Sequence, residues 1–147
     1  MALSNIMNRF HYSLKTISLL LFTLLLAACY SAGVTELPEV KGLKNTDVSW
    51  GGTIAGLVPT LNEKAKKVLA LGKQAIPSLL SALDDQERFA VAHVLLTFLK
   101  FRTVETSGST WNELRIDLHG DGHVDYHPEQ IPELKQLWFR LLNNGAI

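Results

Sequence analysis

From Arg115 to His127 polar and apolar side chains alternate, Arg-Ile-Asp-Leu-His then His-Val-Asp-Tyr-His, with Gly120-Asp121-Gly122 between the two runs. A period of two marks a half-buried strand. The interruption suits a three-residue hairpin loop with Gly122 in the left-handed region. Folding about that loop sets His119 opposite His123, Leu118 opposite Val124, Asp117 opposite Asp125 and Ile116 opposite Tyr126. Opposed residues share a face. Ile116, Leu118, Val124 and Tyr126 therefore form an apolar side, and Arg115, Asp117, His119, His123, Asp125 and His127 a polar one. A slip of one residue would mix the two.

Elsewhere the period lengthens to that of helices. Thr60-Leu61-Asn62-Glu63 reads as a capping box, followed by an apolar face of Ala65, Val68 and Leu69 and a stop at Gly72. A second helix starts near Ile76, with Pro77 in its first turn, where a missing N–H costs little. Asp84 and Glu87 open a third, with Phe89, Ala92, Leu95, Leu96 and Leu99 on its apolar face. Residues 101–110 read as a loop. The tail from Pro128 is a helix with a stripe of Ile131, Leu134, Leu137, Trp138, Leu141 and Leu142, capped by Gly145. Residues 30–58 keep no period and are broken by glycines and Pro38. Their first part reads as a tether, while Trp50, Ile54, Leu57 and Val58 are apolar enough to pack back on the body. The expected fold is α+β, mainly α: a helix pair, a β-hairpin (about 111–127) and a C-terminal helix.

The first 28 residues follow another pattern. Arg9 and Lys15 precede the uncharged run Thr16–Ala28, with no acidic residue before it. That run falls short of the roughly 20 residues that span a bilayer core, and reads as a secretory signal. It ends in Leu26-Ala27-Ala28-Cys29, which holds the chain's only cysteine. This segment resembles the lipobox of bacterial lipoproteins. The resemblance implies cleavage before Cys29, lipidation of its thiol and a membrane anchor at the new N-terminus. Tyr30 stands where an aspartate would imply inner-membrane retention, so the implied address is the outer membrane facing the periplasm in a cell that has one. The chain then divides into a signal peptide (1–28), a lipidated N-terminus and tether (29–58) and a helical domain with its hairpin (59–147).

Residues 71–99 resemble a HEAT-type helical repeat, through Pro77, Leu79, Leu80, Leu83, Asp84, Ala92 and Leu96. That family pairs two antiparallel helices. The arginine it carries early in the second helix falls near Ala90, and is here absent or shifted to Arg88. Only one copy is visible, and solenoids need about three, so the pair must be completed by other elements. The resemblance implies a protein-binding or scaffolding surface.

Composition narrows the chemistry. Hydrophobic residues make up 47% and charged residues 19%, which fits a packed domain rather than a disordered one. The formal charge is zero, and removing Arg9 and Lys15 leaves twelve basic against fourteen acidic residues. Nucleic acid is thus not an expected partner. An envelope protein is.

The histidine stretch admits three readings. As a calcium loop from Asp117 it fails at the third position, His119, and the twelfth, Pro128, where a bidentate carboxylate belongs. As a zinc site it would use Asp117, His119, His123 and Asp125 on the hairpin's polar face. As a plain surface, Arg115 neutralises the aspartates and the histidines lie in solvent, cationic near pH 6. His93, among apolar neighbours, reads as a core histidine bonded to a loop carbonyl. Ser78, Ser81 and Ser109 lack a nucleophile-elbow context, and Lys64, Lys66 and Lys67 read as a solvated helix face. No catalytic constellation or cofactor motif is present, so a non-enzymatic lipoprotein is expected, with a small metal-binding or metal-dependent lipoprotein as the rival.

Overall fold

Nine consecutive residues, Phe89 to Thr97, are buried. Their sequence, Phe-Ala-Val-Ala-His-Val-Leu-Leu-Thr, is apolar around nearly the whole helical circumference, and such a helix belongs inside a protein. The single apolar face expected from Phe89, Ala92, Leu95, Leu96 and Leu99 is therefore too narrow: Val91 and Val94 on other faces are also fully enclosed.

The computed structural model describes residues 35–101 and 106–144. The signal segment, Cys29 and Gly145 lie outside them. In chain order the elements are α1 (Pro38–Lys41), β1 (Val48–Thr53), β2 (Gly56–Leu61), α2 (Glu63–Ala70), α3 (Ile76–Ala82), α4 (Phe89–Lys100), β3 (Thr106–Ser107), β4 (Thr110–Trp111), β5 (Leu114–Leu118), β6 (Val124–Tyr126) and α5 (Ile131–Asn143). Short 3₁₀ turns lead into β1, α3 and α5. Strands β1 and β2 form an antiparallel ribbon, and β3 to β6 a four-stranded antiparallel sheet in chain order. The fold is α+β.

Helix α4 is the centre. α2 and α3 both pack on it. The core it shares includes Trp111, Leu114 and Ile116 of the sheet and Leu134 and Trp138 of α5. Its polar groups find partners inside. Trp138 Nε1 donates to His93 Nδ1 at 3.0 Å, which leaves His93 Nε2 to donate to the Asn112 carbonyl at 2.8 Å. Thr97 Oγ1 donates to the His93 carbonyl and accepts from Asn112 Nδ2, both at 2.8 Å. Asn112 and Glu113 both take positive φ, +46° and +68°, as the two central residues of a tight hairpin turn must. That turn aims the Asn112 carbonyl at the helix.

Three expectations need correction. The body begins at Thr35 rather than residue 59. Val40, Leu43, Val48, Trp50 and Leu57 are buried in its core, so most of residues 29–58 is packed structure and not tether. Of residues 101–110, expected as a loop, the described stretch 106–110 holds β3 and the first residue of β4. Finally, Asn62 and not Thr60 caps α2: its Oδ1 accepts the Ala65 amide at 3.0 Å, while Thr60 pairs with Ser49 in the ribbon.

The N-terminus of α4 is capped from 45 residues away. Asn45 Oδ1 accepts the Ala90 amide at 2.9 Å, and Asn45 Nδ2 donates to the Gln86 carbonyl at 2.9 Å. Losing a side-chain cap costs about 1–2 kcal/mol, and the buried setting puts this one at the upper end. Asn45→Ala is therefore expected to lower the unfolding free energy in urea by about 2 kcal/mol. Asn45→Asp, which keeps the cap oxygen, should lose less. Equal losses in the two variants would contradict the capping role.

Candidate functional site

The β5–β6 hairpin folds in the register read from its alternation. Ile116 pairs with Tyr126, Asp117 with Asp125 and Leu118 with Val124. The His119 amide donates to the His123 carbonyl at 2.9 Å. Gly122 takes φ +87°, and Asp121 Oδ1 accepts the His123 amide at 2.9 Å, bracing the loop. Strands flank the loop, so it is not the helix–loop–helix of a calcium site.

Two features hold the hairpin to the body. Gln130, 1% exposed, grips the β5 backbone at both ends of its amide: Oε1 accepts the Arg115 N–H at 2.8 Å and Nε2 donates to the Arg115 carbonyl at 2.9 Å. Tyr126 donates to the Asn45 carbonyl at 3.1 Å and accepts from Trp50 Nε1 at 3.0 Å. Burial pushes the Tyr126 phenol up, so it stays protonated and able to donate. Beside it, against the Val124 and Tyr126 side of β6, lies an open cleft of about 560 Å³ lined also by Lys44, Thr46, Gln86 and Glu87.

The polar face is a set of imidazole–carboxylate pairs. Asp125 accepts from two rings, His119 Nε2 at 2.8 Å on one oxygen and His123 Nε2 at 3.0 Å on the other. The two rings lie 5.7 Å apart. Asp117 is met by His127 Nε2 at 3.0 Å, and His127 Nδ1 lies 3.4 Å from Glu129. Opposed carboxylates repel, and here each is paired with imidazole. Arg115 does not neutralise them as the plain-surface reading required; its guanidinium reaches Glu133 at 3.4 Å. The four residues of the zinc reading are thus brought to one face, but divided between two pairings. Among the described residues no three His, Cys, Asp or Glu side chains are arranged to hold a metal ion.

The sequence reading missed His127 as the partner of Asp117, although the alternation put it on that face. It also missed Gln130, whose glutamine next to a helix start carries no distinctive signal. His93 is where it was expected, bonded to a loop carbonyl in the core, and serves no external site. Burial drops its pKa to about 4, against a smaller opposing effect of the Asn112 hydrogen bond.

The surface histidine goes the other way. The hydrogen bond that His119 donates to Asp125 raises the His119 pKa, and the hydrogen bonds from His119 and His123 lower that of Asp125. A raised histidine contributes stability below its unfolded value near 6.5 and loses it as pH rises through the folded value. A lowered aspartate contributes above its unfolded value near 3.8 and loses it as pH falls. The pair is strongest between these limits. In an NMR titration His119 should titrate above the ordinary histidine value, and Asp125→Asn should move it back toward that value. An unchanged His119 titration in that variant would contradict the pairing. No protein-family model, curated protein or solved structure matches this chain, so what it does has to be read from its own residues.

Proposed function

We propose that this chain is a lipid-anchored protein of the bacterial envelope whose body acts as a protein-binding or scaffolding module. The observation that carries the reading is Leu26-Ala27-Ala28-Cys29. The motif stands where a basic start and a short uncharged run require a signal to end. It also gives a role to a lone thiol that no disulfide inside the chain can use. Cys29 is the lipidated residue, and multiple acyl chains there would hold the protein stably at a membrane. With Tyr30 next, the reading places it at the outer membrane facing the periplasm where the cell has one.

The body's architecture supports a binding role in a specific way. α3 and α4 are read as one antiparallel HEAT-like pair, joined by residues 83–88. Arg88, just before α4, takes the place of the arginine that the repeat carries early in its second helix. It bonds Asp85 in the connection at 2.8 Å and also reaches Glu36. Unlike in a solenoid, α2, α5 and the sheet cover the pair, so the partner surface is the exterior of these elements. The hairpin's His–Asp face is one such exterior, rigidly mounted through Gln130 and Tyr126.

Cys29→Ser is expected to abolish labelling by palmitate and signal cleavage together, so that the chain accumulates at its precursor mass. A Cys29→Ser protein processed to the normal mature length would overturn the lipoprotein reading.

A further inference from the structure

The β1–β2 ribbon has no charged residue from Val48 to Leu61. At the chain's 19% charged content, fourteen residues would carry about two or three charges. The ribbon ends in the two-residue tip Ile54-Ala55. Ile54 is fully exposed, and Val58 on the second strand is 46% exposed. The groove beside the tip, lined by residues 52–57 and by Thr106, Ser107 and Gly108, has no charged side chain either. A single exposed isoleucine needs no explanation. An uncharged ribbon is different, because natural proteins guard such edges with lysine, proline or a cover; this ribbon has Pro59 in β2, opposite Trp50, but neither lysine nor proline at its tip.

The tip is also held firmly. The Leu57 amide donates to Thr106 Oγ1 at 2.8 Å. Gly56 takes φ +119°, and a Cβ there would lie 2.5 Å from Thr106 Oγ1. Thr53 Oγ1 donates to the Gly56 carbonyl at 2.9 Å. A preformed tip binds without a further ordering cost.

We infer that the Ile54-Ala55 tip is a second membrane contact, seated in the interfacial layer of the bilayer to which Cys29 is anchored. The inference rests on the lipid-anchor reading, and the length of the link selects the bilayer as the occupant. The body starts at Thr35, six residues after Cys29. Whatever path those residues take, they span at most about 20 Å. A domain of this size has a radius of gyration of about 13 Å, so part of its surface always lies close to the headgroups. An uncharged tip enters that layer without desolvating a charge, whereas a charged one would pay heavily. The contact can be weak on its own, because a covalent link this short keeps the tip at a high local concentration near the bilayer.

The test uses the full-length lipidated protein. Acylation consumes the Cys29 thiol, so Ile54→Cys and, separately, Phe139→Cys each offer one reactive site. Phe139 is 67% exposed on α5 and serves as the comparison. Each variant is labelled with an environment-sensitive fluorophore and placed in phosphatidylethanolamine–phosphatidylglycerol vesicles with and without a lipid-borne quencher. The expected result is a blue-shifted probe at position 54 that the quenching lipid dims at least twofold, and a probe at 139 that it leaves nearly unchanged. A water-like probe at 54 on protein whose mass confirms acylation would overturn the tip contact alone. So would equal quenching at both positions, or a blue shift without quenching, which would mean protein covers the tip. An unacylated Cys29 in the same mass measurement would overturn the anchor reading, and the tip contact with it.

Discussion

A helical stretch enclosed on all sides has to find every polar partner within the protein, and Phe89 to Thr97 of α4 set this demand at three places. Its first amides need acceptors, and Asn45 supplies one from the segment before β1. Its histidine needs a donor and an acceptor, and Trp138 of α5 and Asn112 of the β4–β5 turn provide them. Its threonine is satisfied by the His93 carbonyl and by the Asn112 side chain. Each partner comes from a different part of the chain, so meeting the demand fixes the N-terminal segment, the sheet and α5 around one helix. No buried side-chain polar atom among the described residues is left without a partner. An unpaired one would cost about 1–3 kcal/mol.

What could be read from the sequence follows from whether the causes are local. The β5–β6 register was legible because the alternation is strict and the Gly-Asp-Gly loop leaves one register that separates the faces. Helices α2, α3 and α5 were legible from their periods. The β1–β2 ribbon was not, because Gly51, Gly52, Gly56 and Pro59 give it the composition of a linker. Val48 and Trp50 point inward and Ser49 outward, but the alternation ends after three residues. Strands β3 and β4 have two residues each, too few to show any period. The cap on α4 lies 45 positions away, beyond the reach of any local motif. The Thr60 capping box was a true motif in the wrong place, since ribbon pairing holds Thr60 extended and leaves Asn62 nearest the helix.

The same distinction applies to the candidate site. Alternation alone brought Asp117, His119, His123 and Asp125 together on one face. It could not say how they divide, because that depends on side-chain rotamers and on Arg115 turning to Glu133. The result is a surface of shared imidazole–carboxylate hydrogen bonds that relieves the repulsion between opposed aspartates. The pairing with Asp125 favours the protonated form of His119. His93 shows the opposite outcome for the same residue type. With both ring nitrogens committed in a dry interior, protonation would remove the acceptor that Trp138 needs. These two environments divide the histidines among the described residues into one that builds the body and three that define its exposed face.

The internal satisfaction of α4 is the central claim, and the state of His93 reports on it most directly. Long-range nitrogen–proton NMR of the imidazoles, followed from pH 8 downward, distinguishes the ring tautomers and their protonation. The account predicts that His93 is neutral with its proton on Nε2, and that it keeps this state until the pH approaches about 4. A His93 that carries its proton on Nδ1, or that titrates near the ordinary histidine value of about 6.5, would contradict it.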